Sequence, residues 1–248
     1  MKLILQAIKY LLANIERRLE NSLKGLSAKV DGKANSENPA FTGSLTLNYN
    51  GVNPVGQSAI VVGEETTATG VASHAEGRQT RAYATAAHAE GIGTYARAIA
   101  SHAEGELCEA KDEAAHAEGY NTEATARYSH SEGYDTTASG VSSHAEGETC
   151  HASAQGSHAE GHGTIAASEY QHTQGKYNVE DNAGKYAQIV GNGSASNSRS
   201  NAHTIDWDGN AWYAGNIYLG GTGMDDPNAK TLVQAVIDAL PTWTGGSY

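Results

Sequence analysis

SHAEG at Ser73–Gly77 is followed by AHAEG at Ala87–Gly91, and the phrase then returns as SHAEG, AHAEG, SHSEG, SHAEG, SHAEG and QHTQG, the last at Gln171–Gly175. Its histidines are His74, His88, His102, His116, His130, His144, His158 and His172, so every step is 14 residues with no insertion or deletion. Gly63 stands one period before Gly77, which places a degraded first copy near Ile60. Self-similarity at a fixed period marks a stacked architecture, in which each repeat is one coil and its neighbours supply its core.

Other columns keep the same beat. Six residues after each histidine stand Thr80, Thr94, Cys108, Thr122, Thr136, Cys150 and Thr164, and two further on stand Ala82, Ala96, Ala110, Ala124, Ala138, Ala152 and Ala166. Small–x–small is period two, the pattern of a short strand with one face inward. Within the phrase Ser73 and Ala75 share one face while His74 and Glu76 share the other. Each coil is therefore expected to hold two short strands and two turns, with Gly77 and its equivalents supplying the positive φ of a tight turn. Parallel stacking at about 4.8 Å per coil makes the block roughly 40 Å long. Inward columns of Ser, Ala, Thr and Cys describe a thin roll that buries little apolar surface, so one chain is expected to need partners.

Composition alone points elsewhere. Leu, Ile, Val and Phe make 36 of the 248 residues, and the formal charge is −12, values that favour disorder. The unbroken register overrules them, because a disordered chain has no reason to hold columns in phase. Acidity and the absence of a Lys/Arg-rich stripe exclude nucleic acid as the expected partner. Cys108 and Cys150 share a column three coils apart, about 14 Å at strand spacing, too far for an intrachain bridge, and read as small core residues. The apolar start, Met1 to Leu12, is broken by Gln6 and Lys9, and neither a signal peptide nor membrane insertion is expected.

From the N-terminus, Leu5, Leu12, Leu19 and Leu26 fall at one heptad position and Ile8 and Ile15 at the other. That arrangement shifts a parallel coiled coil toward trimers or tetramers; the alternative is one amphipathic helix packed on the body. The coiled-coil segment is assigned to residues 1–30 and a connector to 31–56, followed by the β-roll at 57–175. Beyond Gly175 the beat stops, and residues 176–223 concentrate Tyr177, Tyr186, Trp207, Trp212, Tyr213 and Tyr218. Alternation in Ala211–Leu219 and an Asp208-Gly209 turn predict a β cap with a hairpin, which a solenoid end requires. Asp225-Asp226-Pro227 is expected to open a short helix carrying Leu232, Val233, Val236, Ile237 and Leu240, within a final segment 224–248.

The repeat block resembles the left-handed parallel β-roll heads of trimeric autotransporter adhesins, and more closely the HAEG-repeat regions of phage and prophage tail proteins. GKANSENPAFTG at Gly32–Gly43 resembles a short motif of phage tail fibres, and the aromatic region after Gly175 resembles the phage autoproteolytic chaperone (peptidase G2) module. These resemblances imply a homotrimeric, fibrous, mainly β tail-fibre or appendage component located in the virion tail. In the adhesin heads the phrase carries apolar residues that face neighbouring chains. Carried over, the threefold interface would be lined by His74 and Glu76, His88 and Glu90, His102 and Glu104, His116 and Glu118, His130 and Glu132, His144 and Glu146, His158 and Glu160, and His172. A greasy seam has here become a polar ladder. The implied partners are two further copies, a bacterial cell-surface receptor such as a polysaccharide, and other tail or baseplate proteins through the N-terminal segment. Alternatives are a trimeric bacterial surface adhesin and a self-cleaving assembly domain.

Chemistry is sparse. A ladder of identical His-x-Glu sites suits His–Glu hydrogen bonding between coils or chains better than a metal centre, so neither a metal nor a cofactor is assigned. The carboxylates are expected to raise the histidine pKa values. Ser200, Asn201, His203, Asp206 and Asp208 are residue types that would serve self-cleavage, against the reading that they make turns. Trp207, Trp212, Tyr213 and Tyr218 are the glycan-stacking candidates. Periodic carboxylates are poor evidence for a glycosidase pair, which must be singular.

Overall fold

The computed structural model describes Arg18, residues 45–48, residues 56–219 and residues 230–239. The coiled-coil positions Leu5, Ile8, Leu12, Ile15, Leu19 and Leu26 lie outside these residues, as does the connector apart from its strand Leu45–Asn48 and Gly56.

The protein is mainly β, wound as a parallel β-solenoid of 14-residue coils. Nine five-residue strands run from Ile60–Glu64 and His74–Arg78 to His172–Lys176. Through the repeat block they pair in parallel with histidine beside histidine, glutamate beside glutamate and glycine beside glycine. Eight two-residue strands, Thr67–Ala68 to Ile165–Ala166, form a second sheet. Leu45–Asn48 adds a parallel strand ahead of Ile60–Glu64, so the degraded copy at Ile60 is a true coil.

Four positions of each coil are buried, as at Ser73, Ala75, Thr80 and Ala82. They lie in two pairs seven residues apart, so each coil consists of two similar halves facing each other across a core one methyl or hydroxyl deep. Among the described residues, Val61 and Ile189, near the two ends, are the only fully buried apolar side chains larger than alanine or cysteine. Cys108 and Cys150 are buried free thiols of that core. Three buried hydroxyls of one column are turned to local acceptors, with Thr94, Thr136 and Thr164 donating to the carbonyls of Glu90, Glu132 and Glu160 at 3.0–3.1 Å, while Thr80 and Thr122 of that column have no such partner.

The glycine expectation needs correcting. Gly119 is the fourth residue of the strand His116–Tyr120, not a turn residue, and its φ is +110°. A Cβ on it would sit 2.2 Å from the carbonyl oxygen of Gly133 in the next coil. Glycine is demanded there by the approach of successive backbones. The left-handed turn residues stand five and twelve places after each histidine and are mostly not glycine, as with Gln79 (φ 59°) and Ala86 (φ 56°). Stacking holds them there: Gln79 N–H donates to the Glu64 carbonyl at 2.8 Å and Ala86 N–H to the Val71 carbonyl at 2.9 Å.

The cap continues the roll. Tyr186–Asn192 pairs in parallel with His172–Lys176, setting Gly191 beside Gly175, and the chain then reverses. Asn201–Asp206 and Ala211–Tyr213 add antiparallel strands about the expected hairpin turn. The last short strand is closed by Asn178, whose Oδ1 accepts from Ile165 N–H at 2.8 Å while its Nδ2 donates to the Ile165 carbonyl at 2.9 Å. One side-chain amide thus replaces the next coil's backbone. Arg199 Nη1 donates to the Gly163 and Asn178 carbonyls above it.

The terminal helix is Leu232–Ala239, preceded directly by the strand Lys230–Thr231, which pairs with Tyr218–Leu219; Asp225-Asp226-Pro227 lies outside the described residues. Thr231 caps the helix: Oγ1 accepts the Gln234 N–H at 3.1 Å, the use for which a threonine outside the first turn is suited. Among the described residues no helix is long and apolar enough to cross a membrane.

Candidate functional site

Two regions concentrate chemistry: the face bearing the histidine and glutamate columns, and the cap. Parallel pairing in register forces identical side chains above one another. The eight imidazoles accordingly form one continuous stack from His74 to His172, with ring centroids 4.6–4.8 Å apart and planes within 11° of parallel. Each ring is about one-third exposed.

Beside the rings runs the glutamate column, and the pairing between them drifts along the stack. In the first five copies each Nε2 faces the carboxylate of its own coil, at 3.5, 3.4, 3.5, 3.7 and 4.0 Å for His74–Glu76, His88–Glu90, His102–Glu104, His116–Glu118 and His130–Glu132. From His144 onward it faces the preceding coil instead, at 3.8 Å to Glu132, then 3.3 Å from His158 to Glu146 and 3.5 Å from His172 to Glu160. Glu132 is the crossover, shared between two rings. The rings and carboxylates thus approach one another both within and between coils, but of the expected His–Glu hydrogen bonds the described residues hold one, between coils, from His158 Nε2 to Glu146 Oε1 at 3.3 Å. Alongside it, Glu104, Glu118, Glu132, Glu146 and Glu160 line an open groove of about 560 Å³ floored by the glycine column.

At three histidines the expected direction of the pKa shift is overturned. Burial pushes His88, His116 and His144 below their ordinary 6.5, and the imidazoles stacked above and below each push further in the same direction. The adjacent glutamates oppose this and lose, since they are themselves 31–46% exposed and water screens their field. Stacking ring on ring was the missed interaction: the 14-residue spacing puts a like-charging neighbour closer to each histidine than ladder reasoning from His–Glu pairs alone assumes.

The drift also brings metal-ligating atoms together. His116, Glu118 and His130 place one ligand atom each within 4.8 Å of one another, as do His130, Glu132 and His144, and His158, Glu160 and His172. Each cluster includes a copy whose phrase departs from HAEG, either HSEG at His130 or HTQG at His172.

In the cap, the self-cleavage candidates are dispersed among structural hydrogen bonds. Ser200 Oγ donates to Asn192 Oδ1 at 2.6 Å, and Asn201 Oδ1 accepts from Val179 N–H at 2.8 Å. The His203 ring stacks on Tyr213 with centroids 4.4 Å apart. Asp206 accepts from the backbone N–H groups of Asp208 and Asn210 and from the Asn210 side chain, which holds its carboxyl below the ordinary range. Asp208 supplies backbone to that same turn.

The aromatic candidates divide. Trp207, Trp212 and Tyr213 are 53%, 54% and 47% exposed. Trp207 lies in a groove of about 660 Å³ with Tyr170, Glu169 and Asn182, its Nε1–H fixed by the Gly184 carbonyl at 3.1 Å. Trp212 lies in a separate groove of about 720 Å³ with Lys185, Arg199 and Asp206. Tyr218 belongs to the two-stranded sheet beside the helix, away from both in the hydrogen-bonded order. Tyr170 was not anticipated, because it is a turn residue of the last coil whose value appears only once the cap folds against it.

No family model, no curated protein and no solved structure matches the chain.

Proposed function

We propose that the chain is a structural and receptor-binding component of a phage or phage-derived tail fibre. Three copies would lie side by side as a rigid spacer and present the cap to a bacterial-surface polysaccharide. The observation that carries this reading is the combination of a stiff solenoid with exposed, positioned aromatics at its end, Trp207 and Trp212 above all. A core one methyl deep supports the need for partner chains, since so thin a roll gains little from its own burial. The His/Glu face is the surface on which the copies would meet, and the N-terminal segment the part that would join the particle. Flat indole faces beside Glu169, Asn182, Lys185 and Asp206 suit sugar rings, whose C–H faces stack while their hydroxyls hydrogen-bond.

The test has two arms on the full chain. Light scattering is expected to return three times the chain mass, and a monomer at micromolar concentration overturns the assembly. A bacterial polysaccharide array is expected to show binding that Trp207→Ala and Trp212→Ala weaken at least tenfold. Equal binding by these variants and the unaltered chain removes the cap from recognition.

A further inference from the structure

The three His-Glu-His clusters lie on one face of one chain, and they share a feature the other copies lack: two rings and a carboxylate converge instead of one ring and one carboxylate. We propose that these clusters are binding sites for divalent transition-metal ions of the zinc, nickel or copper kind, with a capacity of two ions per chain.

The ligand set selects the metal. Two imidazole nitrogens and one carboxylate oxygen match borderline ions such as Zn²⁺, and leave one tetrahedral position for water. Calcium and magnesium, which prefer oxygen throughout, are disfavoured. A second observation points the same way. The Nε2 atoms of His116, His130, His144 and His172 are shielded from solvent yet have no hydrogen-bond partner; those of His88 and His102, outside the clusters, share this state, while His158 Nε2 lies 3.3 Å from Glu146 Oε1 and would exchange that bond for the metal. A shielded polar atom without a partner is uncommon and costly, and coordination would satisfy it.

Geometry limits the capacity. In a tetrahedral site with bonds of about 2.0–2.1 Å, ligand atoms stand about 3.3–3.4 Å apart. Atoms spread over as much as 4.8 Å must therefore close by more than about 1 Å, which requires the two rings to swing out of their parallel stack toward the shared ion. His130 belongs to two of the three clusters, so filling one denies a ligand to the other. Two dications one coil apart would also repel strongly. One ion therefore fills the His116–His144 region and a second fills His158, Glu160 and His172. Each site is complete within one chain, so the inference does not rest on the trimer or on glycan binding.

Calorimetric titration of the EDTA-treated, dialysed full chain with Zn²⁺ decides the matter. Saturation at two ions per chain is expected. His130→Ala should reduce it to one, His158→Ala to one, and the double variant to none, while His74→Ala should leave two. The combined variant Glu118→Gln, Glu132→Gln and Glu160→Gln keeps every ring in the stack; its affinity should fall about tenfold or more. Electron paramagnetic resonance of the Cu²⁺-loaded chain should show two coordinated nitrogens. Absence of saturable heat up to millimolar metal overturns the proposal, as does a capacity that the double variant and the glutamine variant both leave unchanged.

Discussion

Two kinds of positive φ coexist in every coil, and they answer to different constraints. At Gly119 the constraint is space: a methyl would lie 2.2 Å from the Gly133 carbonyl oxygen, an atom fixed by the ladder. Gly119→Ala is expected to cost about 3 kcal/mol or more, because backbone cannot yield as a flexible side chain can. At Ala100 the constraint is conformational alone, with φ at 55°. An L-residue there gives up about 1–2 kcal/mol, whereas glycine relieves that and loses part of the gain to chain entropy. Ala100→Gly should therefore stabilise by about 0.5 kcal/mol. Urea melts of the two variants should move in opposite directions, and a shift in the same direction would show that the two positions are not distinct. From sequence the glycine column was legible, but its reason was not: period and residue type cannot tell a turn from a close approach of two backbones.

At the scale of the element, the imidazole stack sets the titration of His88, His116 and His144. His88, His116 and His144 have folded-state values below 6.5, so as pH falls through that value the unfolded chain binds more protons than the folded one. Stability is then present above about 6.5 and drains away as the pH drops through the folded values. Glu90, Glu104, Glu118, Glu132 and Glu146, facing the rings, moderate the loss without reversing it. The melting temperature of the metal-free protein should fall between neutral pH and about pH 5, and less steeply in a variant with glutamine at those three histidines. A flat or rising profile would restore the opposite sign. The capping element carries its own prediction. Asn178 satisfies both backbone groups of Ile165 from a fully buried position, so Asn178→Ala should cost about 2 kcal/mol. It should also open a strand edge that promotes association, readable as scattering during a thermal ramp. Buried Gln171, whose Nε2 donates to Asp181 Oδ2 at 3.1 Å and to the Tyr186 carbonyl at 2.9 Å, joins Asn178 in closing the roll, and both are legible as breaks in a column, Gln171 where other coils have Ser or Ala and Asn178 where they have Thr or Cys. What no column reveals is the partner such a residue finds, because Asp181 and Ile165 meet Gln171 and Asn178 only through the fold.

At the scale of the whole molecule, each coil of the repeat block pairs with the coil before it and the coil after it, which makes the rod divisible in whole coils and in no other unit. The pairing registers repeat from coil to coil without a shift through the block, from His74 against His88 to His144 against His158. Removing His116–Ser129, one full period, would bring His102 beside His130 and Cys108 beside Thr136, and would return each side chain to its own column. Stability in such an array is close to a sum of coil and interface contributions, so the shortened chain should fold, melt slightly lower and be about 4.8 Å shorter by small-angle scattering. Removing thirteen of those residues would instead turn alternate side chains inside out past the cut, placing histidine where alanine was buried. With a core only one methyl deep there is no space to absorb a ring, so that variant should lose its β circular dichroism. If both deletions fold equally well, columns in phase do not hold this rod together, and stability must come from the cap or from partner chains.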